Sequence, residues 1–221
     1  MSEVTTGLRS ILSLAPFYDF VQNALGARRY RREIAKLYLM PGASRPLRIL
    51  DVGCGTAQIL EYLPDCTYVG LDFSERYLES AQRRYGDRAI FVRSEATIAP
   101  FERWRGEIDC VLLLGLLHHL DDEDTVSLFR AAGPALAAGG RVVSVDPTVS
   151  TETHPVGRFL AHRDRGRNVR APDGYLALAR RAFDEVKLHV RHDLLRVPYS
   201  HAILECSRPL GFAADRDHGA Q

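Results

Sequence analysis

Ile49-Leu50-Asp51-Val52-Gly53-Cys54-Gly55-Thr56 is the stretch whose reading decides the fold. The run from Leu47 to Val52 is short, apolar and closed by glycine, as a buried strand should be, and Thr56 to Leu63 reads as the helix that follows it. Outward from there the alternation recurs. Strands are expected near Thr67 to Leu71, Ala89 to Val92, Asp109 to Leu114 and Arg141 to Val145, separated by polar, helix-length segments such as Ser74 to Tyr85 and Asp122 to Ala138. Near-continuous apolar strands alternating with helices predict a parallel sheet covered on both faces. After Asp146-Pro147 come an arginine-rich stretch, a short helix near Tyr175 to Ala182, and strands around Glu185 to Val190 and His201 to Cys206. The link between those last two strands is too brief for a parallel crossover, so they should pair antiparallel. The expected class is α/β, a doubly wound, seven-stranded, mostly parallel sheet with an antiparallel final strand.

A chain of 221 residues with 46% hydrophobic content suits one domain, 1–221. Within it, 1–42 reads as an N-terminal helical cap: Phe17, Phe20, Val21 and Leu25 recur at helical intervals, Ile34, Leu37 and Tyr38 continue them, and Pro41-Gly42 ends them. The remainder divides into a cofactor-binding core, 43–147, and a substrate-side segment with the final strands, 148–210. The formal charge of +1 supplies no global field for nucleic acid or an anionic membrane, so neither is an expected partner. The four cysteines are irregularly spaced, with no C-x-x-C pair, and no disulfide framework or metal site is expected. No apolar run approaches the ~18 residues of a spanning helix. The start shows no basic region followed by an apolar segment and a cleavage site, so a cytoplasmic protein is expected. No feature assigns an oligomeric state.

Ligands of open α/β sheets bind beyond the carboxyl ends of the strands, which directs attention to the residues just after each apolar run. Gly53 and Gly55 let the backbone turn sharply and bring its amides close to a ligand. Asp72 follows Tyr68-Val69-Gly70-Leu71, about 20 residues beyond the first acid, and suits a carboxylate accepting from two ribose hydroxyls. A helix N-cap is the alternative role, which Ser74 fills better. Phe73 is placed to pack on an adenine face. The dinucleotide pattern G-x-G-x-x-G would need a third glycine where Gln58 stands, which disfavours a pyrophosphate cofactor.

Ile49 to Thr56 resembles the first motif of class I S-adenosylmethionine (SAM) dependent methyltransferases. The resemblance continues through Asp72, Ile108-Asp109-Cys110-Val111, Leu117-His118-His119-Leu120 and Gly139-Gly140-Arg141-Val142-Val143, covering about Arg48 to Pro147 with the motifs in order. It is closest to the small-molecule type of these enzymes. It implies a Rossmann-like methyltransferase fold and SAM as cofactor, with Gly53, Cys54 and Gly55 along the methionine moiety and Asp51 ordering its amino group. It further implies Asp72 on the ribose, Phe73 beside the adenine, Glu95 and Ala96 at the adenine amino group, and backbone from Leu114 and Gly115 near the amino acid end. The glycine that often precedes such an acid is absent, Ser94 standing there instead.

Adjacent residues on a turn point in different directions, so at most one of His118 and His119 should face the site. His118 is the candidate base, with His154 a second. Arg158, Arg163, Arg165, Arg167 and Arg170 cluster in the segment that such enzymes use as a lid, where guanidinium forks could grip a carboxylate or phosphate. A solvated charged face is the equal alternative. Tyr18, Asp19, Tyr199 and His201 could also reach the lid side. The expected function is methyl transfer to an oxygen or nitrogen of a small-molecule acceptor, anionic carboxylates included. The rivals are a SAM-binding regulatory or scaffold protein and a nicotinamide-dependent oxidoreductase. The motif of exocyclic-amine methylation is absent after the fourth strand, where Leu114-Gly115-Leu116-Leu117 stands.

Overall fold

The structure is a computed structural model that describes residues 26–39, 45–63, 65–163 and 168–211. Tyr18 and Asp19, Arg165 and Arg167 lie outside the described residues, as does the first part of the expected cap. Seven strands form one sheet: β1 (Leu47–Val52), β2 (Cys66–Asp72), β3 (Ala89–Arg93), β4 (Ile108–Leu114), β5 (Leu136–Pro147), β6 (Phe183–Arg191) and β7 (His201–Pro209). Their spatial order is β3-β2-β1-β4-β5-β7-β6. Strands β1 to β5 are parallel where they pair, while β7 sits between β5 and β6 and is antiparallel to both. The order reverses between β1 and β4, which opens a crevice at their carboxyl ends.

Alternating strand residues serve the two faces of the sheet. Leu50, Val52, Val69, Leu71, Val111, Leu113 and Val142 pack under α3 (Asp122–Ala132) and α5 (Pro172–Ala179), with Phe129 and Tyr175 as the large plugs. Ile49, Tyr68, Cys110, Leu112, Val143 and Ile203 face the other way, against α1 (Ala27–Ile34), its π-helical continuation Ala35–Leu39, and α2 (Glu75–Tyr85). The described part of the cap thus contributes Ile34, Ala35, Tyr38 and Leu39 to this second core.

Three elements depart from the expected boundaries. The segment after β1 forms only a 3-10 helix, Gln58–Tyr62, because Ala57 takes a left-handed conformation (φ 55°) that breaks a helical start. Helix α3 ends at Ala132 rather than Ala138, since Gly133-Pro134 removes a backbone donor and disfavours helical geometry before it. Strand β5 therefore begins at Leu136, with its pairing to β4 shifting register between Ile108 and Cys110. A further helix, α4 (Pro155–Arg163), follows β5, and the helix expected at Tyr175 to Ala182 lies earlier, at Pro172–Ala179.

Candidate active site

The turns that follow the parallel strands are stitched together by hydrogen bonds across the carboxyl edge of the sheet. The amides of Gly53 and Cys54 donate to Leu71 O (2.7 and 2.9 Å), and that of Ser94 donates to Asp72 O (3.0 Å). Gly115 N donates to Val145 O at 2.8 Å, joining the ends of β4 and β5. Gly53 and Gly55 have φ of 76° and 55°, the left-handed conformations that glycine adopts without strain. A Cβ on Gly55 would meet nothing within 4 Å, so the turn faces open space there, while one on Gly53 would lie 3.1 Å from Leu116 Cδ1. The turn after β4 therefore abuts the glycine turn after β1.

Two carboxylates anchor this edge. Asp72 accepts Gly55 N on Oδ2 and Ser74 N on Oδ1, both at 2.8 Å, so it fixes the glycine turn as well as the start of α2. Ser74 is the N-cap of α2 by position, but its side chain makes no capping bond. Asp51 is 1% exposed; its Oδ2 accepts from Tyr68 Oη at 2.5 Å, and its Oδ1 has no protein partner. Burial pushes the Asp51 carboxyl up to about 7, partly offset by the Tyr68 hydrogen bond and reinforced by the charge of Asp72. Burial also raises Asp72, against the amides of Ser74, Gly55 and Phe73. The Cys54 thiol is driven well above its usual range by burial and by both acids, which keeps it protonated and a poor nucleophile.

Phe73 is 57% exposed beside Asp72, an apolar ring presented to solvent at the rim. Glu95, after β3, is exposed and caps the 3-10 turn Ala96–Ile98 without a side-chain bond. Ala96 and Leu114 are half-buried against the two cores, and Gly115 has φ 64°. The structure thus brings Asp51, Gly53, Cys54, Gly55, Asp72 and Phe73 to one edge, with Glu95, Ala96, Leu114 and Gly115 along the same edge.

On the acceptor side the expected residues separate. His118 is buried in the 3-10 turn Leu117–His119, where its amide and its Nδ1 both meet Asp146 Oδ1, at 3.1 and 2.8 Å. His119 is exposed, its ring 4.1 Å from that of His118. His154 is exposed at the start of α4, its Nδ1 accepting from Val156 N at 3.2 Å. Tyr199 is buried against His201, with ring centroids 5.3 Å apart. Arg163 ends α4. Arg170 is not a projecting grip: its guanidinium donates to Leu117 O (2.9 Å), Leu120 O (2.8 Å) and Asn168 O (3.2 Å), and pairs with Asp122 Oδ1. It lies 5.5 Å from the Tyr175 ring centroid. These bonds strap the turn after β4, including the residues on either side of the histidines.

Sequence reasoning missed Asp146, Tyr68 and the bracing role of Arg170. Asp146 stands at the carboxyl end of β5, the same kind of position that singled out Asp51 and Asp72, so that rule could have found it. Tyr68 lies inside an apolar strand and carries no signal beyond its hydroxyl. Among the described residues no group of His, Cys, Asp and Glu could hold a metal ion, and no helix is long and apolar enough to cross a membrane.

Comparison with known proteins agrees with this arrangement. Residues 49–140 match the family described as "Methyltransferase domain". The chain is 31% identical over 150 residues to the demethylmenaquinone methyltransferase of Lactococcus lactis subsp. lactis, covering 63% of this chain and 57% of that protein. It is 31% identical over 134 residues to the trans-aconitate 2-methyltransferase of Methylobacterium radiotolerans, covering 59% of this chain and 50% of that protein. The chain thus spans about half the length of these curated relatives. A SAM dependent methyltransferase from Archaeoglobus fulgidus superposes with a TM-score of 0.65 at 17% identity, covering 86% of this chain and 100% of that one. The glycine turn and the two edge acids, Asp51 and Asp72, lie within the residues that match the methyltransferase domain family.

Proposed function

We propose that this chain moves a methyl group from SAM to an oxygen or nitrogen of a small-molecule acceptor. The observation that carries the cofactor part is Asp51 Oδ1, a buried carboxylate oxygen with no protein donor, at the head of a glycine turn that opens to space. Leaving such an atom unsatisfied is costly, and an ammonium or a water bound to it would remove the penalty. The α-amino group of SAM carries that charge. Asp72 retains acceptor capacity on both oxygens after its two amide bonds, enough for a ribose diol. Phe73 offers the ring face that an adenine would cover. Glu95 and Ala96 would lie toward the adenine edge, and Leu114 and Gly115 toward the methionine end.

Bound there, SAM supplies a methyl group already activated by a positively charged sulfur. The work left to the protein is to align the acceptor and exclude water. The curated relatives are named for demethylmenaquinone and trans-aconitate, which favours a small metabolite over a macromolecule. His118, in the turn whose Leu116 abuts Gly53, is the first candidate base, and the exposed His154 at the start of α4 is the second. Arg163, Arg165, Arg167, Tyr18 and Tyr199 remain candidates for the acceptor side.

The test is incubation of the protein with methyl-labelled SAM and a small-molecule extract. Label appearing in a small molecule together with S-adenosylhomocysteine supports the reading. SAM binding with neither product would instead favour a regulatory or scaffold role.

A further inference from the structure

We propose that α1, with its π-helical continuation, is a docking face for an anionic lipid surface, which it holds reversibly through a row of exposed cations. The face is separate from the glycine turn, and its role does not depend on methyl transfer.

Helix α1 (Ala27–Ile34) and its continuation Ala35–Leu39 bury Ile34, Ala35, Tyr38 and Leu39 in the second core. What they leave exposed is Arg28, Arg29, Arg32, Lys36 and Leu37. Arg28, Arg32 and Lys36 follow at four-residue steps, about 6 Å apart along the axis, and so form a row on one side. Little in the fold compensates this row. Like charges four residues apart oppose a helix, and arginines in a first turn oppose its dipole. That turn holds no acid, and the N-cap, Gly26, makes no side-chain bond. Glu33 is the one acid of the helix, and it is half-buried. Among the described residues Arg28, Arg32 and Lys36 have no ion-pair partner. Arg29 reaches Asp193 at 3.7 Å, an acid that Arg191 already holds at 2.7 and 2.8 Å. Elsewhere exposed arginines are matched, Arg45 with Asp109, Arg48 with Glu107, Arg84 with Glu61 and Arg93 with Glu75. A helix that departs in this way from the local rules points to a role outside the fold.

The face extends beyond the helix. Arg196, exposed in the link before β7, adjoins its head: a Cβ on Gly26 would lie 3.0 Å from Arg196 N and 3.1 Å from its Cγ. The Tyr30 ring is 5.3 Å from that of His201, which pairs with Pro147 at the end of β5, so α1 begins beside the carboxyl edge that carries the candidate site. The net charge of +1 hides this row because it averages the whole surface, whereas attraction within a Debye length is set by nearby charges. Two features favour a lipid surface over other polyanions. Leu37, 43% exposed, adds an apolar side chain next to Lys36. In sequence, residues 16–25 lead into α1 with Phe17, Phe20, Val21 and Leu25 and with Asp19 as their one charged residue. Apolar residues beside a basic cluster are the two signals by which chains attach reversibly to anionic bilayers. Among the described residues this face presents no exposed aromatic ring on which a single-stranded nucleic acid would stack its bases.

The test is sedimentation of the full chain with two kinds of vesicle, phosphatidylcholine alone and phosphatidylcholine with about 30% phosphatidylglycerol, at about 0.05 and about 0.5 M salt. The chain should bind the anionic vesicles at least about tenfold more tightly than the neutral ones at the lower salt, and should release them at the higher. Each cation near such a surface contributes roughly a fivefold factor, so Arg28→Gln/Arg32→Gln/Lys36→Gln should lose about 100-fold and Arg28→Gln alone about fivefold. The triple variant should melt no lower than wild type, because it relieves repulsion within the helix. A charge-matched control, Arg103→Gln/Arg130→Gln/Arg180→Gln, alters exposed arginines of elements packed on the first core, across the sheet from α1, and should keep its binding. Should the triple variant not fold, Arg28→Gln and the salt response of the wild type decide. Equal binding to neutral and anionic vesicles, binding indifferent to salt, equal loss in the two triple variants, full binding by Arg28→Gln, or tighter binding to a single-stranded RNA or to polyglutamate than to the anionic vesicles would each overturn the proposal.

Discussion

The carboxylate of Asp51 is held by the hydroxyl of Tyr68 at 2.5 Å on one oxygen and left without a protein partner on the other. Burial raises this group to about 7, so below that pH it is mostly neutral and above it mostly charged. Only the charged form attracts an ammonium. SAM affinity should therefore increase between pH 5.5 and 7, by up to about tenfold per unit, and flatten above about 8. Tyr68→Phe removes the bond that pulls the group down and should move the rise to higher pH. Calorimetric titrations across this range check both; a flat profile would separate Asp51 from the ligand charge.

Asp72 holds two backbone amides and is the proposed ribose acceptor, roles that its variants should split. Asp72→Ala strands the amides of Gly55 and Ser74 and removes the proposed acceptor. SAM binding should weaken by roughly 1.5 to 3 kcal/mol, with a lowered melting temperature. Asp72→Asn keeps one oxygen for an amide, so it should melt closer to wild type while still losing affinity. An Asp72→Ala protein with unchanged SAM affinity would take the residue out of the ribose role.

Gly55 tests whether the open space above the turn is the ligand site. Alanine there costs about 1–2 kcal/mol for its left-handed conformation and meets no protein atom within 4 Å. Gly55→Ala should therefore stay folded yet bind SAM at least about tenfold more weakly. Gly70→Ala makes a contrast, because its Cβ would come within 2.8 Å of Cys54 Sγ and 2.9 Å of Phe91 Cδ1. That variant should lose stability as well as binding, as a thermal melt would show.

Arg170 separates bracing from substrate gripping. Its guanidinium bonds to Leu117 O and Leu120 O are charge-assisted and only 11% of the side chain is exposed. Arg170→Leu should cost about 2–3 kcal/mol in chemical denaturation. If it grips substrate instead, stability should hold and only the acceptor KM should rise.

Much of this architecture could be read from the chain because burial on both faces leaves a plain mark. β1, β2 and β4 are apolar runs ended by glycine or acid, and Asp51, Asp72 and Gly115 stand at or next to those ends. The 3-10 turn at Gln58–Tyr62 was hidden because its left-handed residue is Ala57, where nothing in the side chain announces the conformation. The arginine-rich segment misleads for a different reason. A guanidinium that caps carbonyls and one that awaits a ligand look alike in sequence, and only the bonds of Arg170 tell them apart. The pairing of His118 with Asp146 depends on the parallel register of β4 with β5, which aligns Leu114 with Val145 and which no local pattern encodes.

The central claim, that the edge formed by Asp51, Gly55 and Asp72 holds SAM, is tested most directly by calorimetric titration of the wild-type protein with SAM and, in parallel, with NADH. Saturable binding of one SAM per chain, lost in Asp72→Ala, with no heat from NADH is the predicted result. Tight NADH binding with none for SAM would contradict it.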